Sequence, residues 1–290
     1  MPPLDSSPGH DPHDDLPKES ARTILFQFVL FPLGVVAVGV AIFLLFGQLA
    51  SNEQKIPDYL TEIRSGGSHE RWQAAYQLSK AIKRGEAKQY PQLVPQVARI
   101  FTDAQNDDPR VRQYLAMVLG NLGDRRATPA LVSALDDKHV ETRIYALLAL
   151  GQLHDPAAVP HLVTALQKGE RDERKAAAYA LGELADRRAI EPLAGVLTDA
   201  EPDVRYNAAL SLARFGDGRS IGVLREMLDR GRLDTVQGMR PNQKEDAMLA
   251  AIPAYVKIAG PEAVPTLRKL ADADPSLQVR SAAKEALAAK

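Results

Sequence analysis

Residues 108–137 read DPRVRQYLAMVLGNLGDRRATPALVSALDD, and the chain repeats this text with a step of 31 residues. Arg112, Arg143, Arg174 and Arg205 are each 31 apart, and so are Leu119, Leu150, Leu181 and Leu212. Asp124, Asp155, Asp186 and Asp217 keep the same step, as do Leu131, Leu162, Leu193 and Leu224. Four columns held through four cycles without a gap identify internal repetition, the signature of an array of stacked units.

Within a unit the apolar positions follow a helical period. Leu115, Ala116, Leu119 and Leu122 fall at i, i+1, i+4 and i+7, one face of a helix. Asp108-Pro109 starts that helix, since Asp caps orphan amides and Pro suits the first helical position. Gly123-Asp124 ends it and prepares a second helix over about 128–135, so a unit is two antiparallel helices joined by a short turn. One such hairpin cannot cover its apolar faces, whereas stacking buries them continuously. Gly120, Gly151 and Gly182 lie in mid-helix at the same step, where glycine costs about 1 kcal/mol relative to Ala. Close helix contact is expected there, and Ala213 in the fourth unit makes small size the requirement.

The rhythm loosens at both ends. Arg71 and Leu78 keep the seven-residue offset of Arg112 and Leu119 but lie 41 upstream, so the first unit carries about ten extra residues. After the fourth unit DRGRLDTVQGMRPNQKED, residues 229–246, inserts about twelve, and Met248 stands where the arginine belongs. Arg280 and Leu287 open a last helix, which gives about six units and a terminal half.

Upstream of the array, residues 1–22 are rich in Pro, Asp and Ser and are expected to form a disordered tail, with a charge of −3 against −1 for the whole chain. ILFQFVLFPLGVVAVGVAIFLLF, residues 24–46, holds no charge. As a helix it reaches about 34 Å, enough for a hydrocarbon core of about 30 Å. The rival reading, a cleaved signal peptide, meets an apolar stretch too long for such a leader and an acidic approach to it. The expected layout is therefore a tail over 1–22, a transmembrane helix over 23–47, a linker over 48–66 and a repeat domain over 67–290. Arg22 lies nearer the span than Lys55 does, which favours an array outside the cytoplasm, across a bacterial inner membrane crossed once.

The DPxVRxxAxxALGxLGDxxAxPxL rhythm resembles HEAT-like repeats, in particular the short kind also found in phycobilisome lyases. The resemblance covers roughly residues 67–290 and is tight over 108–228. It implies an all-α fold, a right-handed α-solenoid whose second helices line a concave binding surface. It also implies a ladder in which Arg112, Arg143, Arg174 and Arg205 tie neighbouring units through aspartates of the preceding turns. Met248 predicts a lapse of that ladder in the fifth unit. A HEAT-like hydroxylase would need several His-Glu pairs, and His69-Glu70 is the one such dipeptide here.

Chemistry is thinly represented. There is no cysteine, hence no thiolate nucleophile or disulfide, and no catalytic or phosphate-binding motif. His10 and His13 lie in the tail. His154 and His161 are seven apart without a third ligand, so no metal and no cofactor is expected. Tyr114, Tyr145, Tyr179 and Tyr206 could stack a ligand, but their differing phases suit packing and rim positions better. The near-neutral array argues against nucleic acid.

Two interaction candidates remain. One is the concave row Ser133, His161, Thr164, Gln167, Glu226 and Arg230, varied enough for a specific partner and equally readable as solvent-facing. The other is the insertion, with Arg232, Arg240 and Lys244, functional or merely flexible. The expected function is a membrane-anchored scaffold for a membrane-associated protein partner, of open oligomeric state and without catalysis. A bilin or tetrapyrrole lyase and a nucleic-acid-binding array are the alternatives.

Overall fold

The computed structural model describes residues 30–50, 56–83 and 86–289 and divides the chain into two units, Met1–Lys55 and Ile56–Lys290. The expected tail and residues 24–29 of the expected span lie outside the described residues. In the first unit, α1 runs over Phe31–Ala50 without a charged residue.

In the second unit every described element is helical: α2 (Ile56–Ser65), α3 (Ser68–Ala81), α4 (Leu93–Asp103), α5 (Pro109–Leu122), α6 (Thr128–Ser133), α7 (Val140–Gln152), α8 (Val159–Lys168), α9 (Arg171–Leu184), α10 (Ile190–Gly195), α11 (Pro202–Phe215), α12 (Ile221–Met227), α13 (Arg230–Thr235), α14 (Pro241–Ala259), α15 (Val264–Ala273) and α16 (Leu277–Ala288). The hairpins are α3/α4, α5/α6, α7/α8, α9/α10, α11/α12 and α14/α15. The unpaired α16 closes the series, and successive first helices stack on one another. This is an α-solenoid.

The local chemistry of each hairpin is uniform. The Asp108 carboxylate accepts from the Arg110 amide at the start of α5, Pro109 follows as the first helical residue, and Gly123 ends the helix at φ 67°. The aspartate column then opens every second helix. Asp124, Asp155, Asp186 and Asp217 accept from the amides two residues on, capping a short 3-10 turn. Position 123 recurs as His154 at φ 49°, Ala185 at φ 62° and Gly216 at φ 77°, so two units place a side chain in the left-handed region.

Both leucine columns, at 119/150/181/212 and 131/162/193/224, are fully buried. Each such side chain contributes about 1.5–3 kcal/mol relative to exposure. The mid-helix glycines lie where helices nearly touch: a Cβ on Gly151 would stand 2.7 Å from Ala180 Cα. The buried residues form two apolar cores, from Leu60 to Leu212 and from Tyr206 to Ala283. All their described members belong to Ile56–Lys290, so this unit has an apolar interior of its own, which is what independent folding requires.

One boundary differs from the expected one. Residues 56–65, placed in the linker by the sequence reading, form α2, which buries Leu60 and Ile63 against α3. Without it the outer face of the first hairpin would be bare. Among the described residues Pro241–Ala273 is the one helical stretch long and apolar enough to pass as a membrane span, and Leu33–Leu44 of α1 is a shorter apolar one. The apolar residues of Pro241–Ala273 are committed elsewhere, because Met248, Ala251, Ile252 and Tyr255 of α14 are buried in the second core.

Candidate functional site

The arginine column forms a ladder along the array with a different reach from the expected one, since the carboxylate partners of Arg112, Arg174 and Arg205 lie in their own units and that of Arg143 in the next. Three of the guanidinium groups look back to a backbone carbonyl of the preceding turn: Arg143 to Asp137 O at 2.9 Å, Arg174 to Gly169 O at 3.2 Å and Arg205 to Asp199 O at 2.8 Å. The carboxylate partner of each arginine lies ahead. Arg112 pairs with Asp137, Arg143 with Glu173 at 2.7 Å, Arg174 with Asp199 at 2.9 Å, and Arg205 with Glu226 at 2.7 Å. The physical reason is donor geometry: a planar guanidinium has five N–H groups, enough for a carboxylate and a carbonyl together.

The acids explain the variation. Asp137 and Asp199 fall on one 31-residue column, which Lys168 and Arg230 interrupt. Where Lys168 removes the acid, Glu173 replaces it from a column occupied by Val111, Thr142 and Val204 in the other units. Where Arg230 removes it, Glu226 substitutes from one turn earlier and also accepts from the Tyr206 hydroxyl at 3.1 Å. Hydrogen bonding to Arg143 lowers the Glu173 pKa and Arg174 does the same for Asp199, while burial raises that of Tyr206.

The insertion completes the ladder. Met248 is fully buried and offers no guanidinium to the acid of its unit, Asp274. Arg230, at the start of α13, supplies it with two hydrogen bonds to Asp274 of 3.0 and 2.7 Å. The Asp274 side chain is only 2% exposed, so the pair is essential to its burial. Lys244 pairs with Asp234 at 2.8 Å, and Glu245 accepts from the Ser276 hydroxyl at 2.6 Å. Arg232 and Arg240 remain exposed, Arg232 3.8 Å from Asp229 and Arg240 bonded to Gln243. The insertion is thus an ordered clamp.

The concave row separates into two groups. Ser133 and Thr164 are exposed, and their hydroxyls donate to the carbonyls of Ala130 and Pro160 in their own helices. His161 and Gln167 are exposed on α8, and Gln167 borders a depression of about 670 Å³ with Arg174, Glu191 and Asp199. Glu226 and Arg230 belong instead to the ladder. No group of three or more His, Asp or Glu able to hold a metal occurs among the described residues. Tyr206 is buried and Tyr179 exposed, with Tyr114 and Tyr145 half-buried between them. Sequence reasoning missed Asp274 as a ladder acid and Arg230 as its partner. The interrupted acid column was the available signal.

The family described as HEAT repeats matches residues 97–181 and 166–240. No curated protein matches the chain by sequence. Among solved structures, the chain is similar to the complex of CpcE and CpcF of phycocyanin lyase from Nostoc sp. PCC7120, at 21% identity over 82% of this chain and 88% of that one, with a TM-score of 0.55. Human deoxyhypusine hydroxylase aligns at 20% identity over 89% and 98% of the two chains, TM-score 0.34. A designed armadillo repeat protein aligns at 19% over 81% and 99%, TM-score 0.41. Step length, hairpin geometry, family match and the fold shared with the lyase complex agree: the chain carries a HEAT-repeat array.

Proposed function

We propose that the chain is a membrane-tethered HEAT-repeat scaffold that holds a protein partner at the membrane. The observation that carries the tether is α1. From Leu30 to Leu44 every described large apolar side chain is more than half exposed, and the helix holds no charge. Ten such side chains in water, at about 1.5–3 kcal/mol each when buried, leave well over 10 kcal/mol to be gained from an apolar surround. The 20 residues of α1 extend about 30 Å, the thickness of a hydrocarbon core. Confinement to that surface raises the effective concentration of a membrane-associated partner without adding contacts. The domain plan and the array's non-cytoplasmic side belong to the same reading.

Alkaline carbonate extraction of membranes tests the tether. Full-length chain stays in the pellet and a chain lacking residues 24–46 is released; release of both ends the reading. A pull-down from solubilised membranes without a stoichiometric protein partner argues against the scaffold. A reporter active only in the cytoplasm, fused after residue 290, fixes sidedness. The shared fold of the phycocyanin lyase complex favours a second reading, lyase-like action on a bilin. An absorbance shift when Ile56–Lys290 is titrated with a free bilin supports it, and an unchanged spectrum dismisses it.

A further inference from the structure

We propose that the partner docks on the first helices of the hairpins, where an apolar stripe receives one amphipathic helix with a basic flank. This rests on the scaffold reading and names its surface and ligand class. Five residues after each ladder arginine stands Met117, Leu148, Tyr179 or Leu210, with Tyr76 at the same place after Arg71. Met117 is 36% and Tyr179 37% exposed, and Leu148, Leu210 and Tyr76 are half-buried. Leu148 and Leu210 rest on the edge of the stacked core, while Met117, Tyr179 and Tyr76 stand outside it, where polar residues would be the default. Between α7 and α9 the stripe deepens into a depression of about 410 Å³ lined by Ile144, Leu148, Ala176 and Tyr179, with Asp172 and Lys175 at its edge.

The charges beside it point to the ligand's sign. Glu141 and Asp172 precede Leu148 and Tyr179 by seven residues, two turns along the same face. Both are exposed and neither is ion-paired. The cations nearest the depression are already engaged, Lys175 with Asp203 and Arg214 with Glu183, as is Arg110 with Asp108, whereas Lys80 lies over the Tyr76 ring at the far end of the stripe. The uncompensated charge beside the depression is therefore negative. Spacing suits a helix, since packed helices lie about 8–10 Å apart and residues seven apart on a helix are about 10.5 Å apart. An added helix crossing the first helices thus sets one apolar side chain on each unit, and four units, three steps of about 8–10 Å or of seven residues, take about 17–22 residues. The matching column on the second helices, Ser133, Thr164, Gly195 and Glu226, offers no apolar row.

Fluorescence anisotropy with Ile56–Lys290 tests this with two synthetic 20-residue helices. Both carry leucine along one face; one has lysine flanks, the other glutamate. The lysine peptide binds and the glutamate peptide binds at least tenfold more weakly. Tyr179→Ser, alone or with Leu148→Ser, weakens the lysine peptide at least tenfold while far-UV circular dichroism and thermal unfolding confirm folding. Glu141→Gln with Asp172→Asn weakens it several-fold and reduces its salt dependence, and His161→Ala with Gln167→Ala leaves it unchanged. Equal affinity for both peptides, no binding by either, or sensitivity to the His161 and Gln167 variants overturns the proposal. So does a dimer in sedimentation velocity that Leu148→Ser dissolves, since the stripe would then seat a second copy. A pull-down partner retained by the stripe variants refutes this surface while leaving the scaffold standing.

Discussion

Gly151→Ala separates local propensity from packing, because the two predict opposite signs. Alanine in mid-helix is favoured over glycine by about 1 kcal/mol. Against that, a Cβ at 151 meets Ala180 Cα at 2.7 Å, Ala180 O at 2.8 Å and Ala180 Cβ at 2.9 Å. Two of these atoms are backbone and cannot rotate aside, so α7 and α9 must part by most of an ångström to restore ordinary contact near 3.5 Å. Overpacking of that kind costs about 1–3 kcal/mol. With backbone on the receiving side the upper end applies, leaving a net loss of about 2 kcal/mol. Gly195→Ala is the control, since a Cβ there meets nothing within 4 Å and α10 ends at that residue. It is expected to be neutral or stabilising by up to about 1 kcal/mol. Urea unfolding of Ile56–Lys290, followed by far-UV circular dichroism, measures both, and similar slopes show that the same surface unfolds. A Gly151→Ala protein as stable as the parent, or more so, would refute the inference that these first helices touch at this point.

Three further outcomes follow from the same geometry. Ala185→Gly is expected to raise stability by about 1 kcal/mol, because Ala185 sits at φ 62°, which only glycine adopts freely; an unchanged urea midpoint contradicts this. Arg230→Ala leaves the buried Asp274 carboxylate without its cation and is expected to cost about 3 kcal/mol. In a cycle with Asp274→Asn the coupling should exceed about 1 kcal/mol, and simple additivity would reduce the clamp to a surface ornament. Acid should unfold the array through its capped and paired carboxylates. Hydrogen bonding from Arg188 holds Asp186 at about 2 against 3.8 for the free group, and Arg126, Arg219, Arg174 and Arg143 lower Asp124, Asp217, Asp199 and Glu173. Their stabilisation is present above pH about 4 and fades as pH falls through their folded-state values. Thermal midpoints flat from pH 5 down to pH 2 would contradict that assignment.

Hairpins, repeat step, helix starts and the glycine contacts were legible in the primary structure because each depends on residues close together in the chain. Asp108-Pro109, the column at 124 and the leucine periods report local capping and one-sided burial, which an array copies from unit to unit. Helix α2 was equally legible: Ile56, Tyr59, Leu60 and Ile63 repeat at i, i+3, i+4 and i+7. It lacks the 31-residue text and its cover is the next helix, so the repeat does not mark it. The apolar stripe also lies in plain sight at 117, 148, 179 and 210, yet a leucine in a helix looks the same whether it faces core or solvent.

What the amino-acid order alone determined is the unit: a capped pair of helices, greasy on one flank, that must lean on its neighbour, and a charge-free run of residues before it. Only the tertiary structure decided which acid each ladder arginine takes. It also showed that Glu226 and Arg230 belong to the architecture, and that Met117 and Tyr179 are exposed on the first helices. Those outcomes join residues 21 to 44 positions apart, across helices whose spacing and rotation no local pattern encodes.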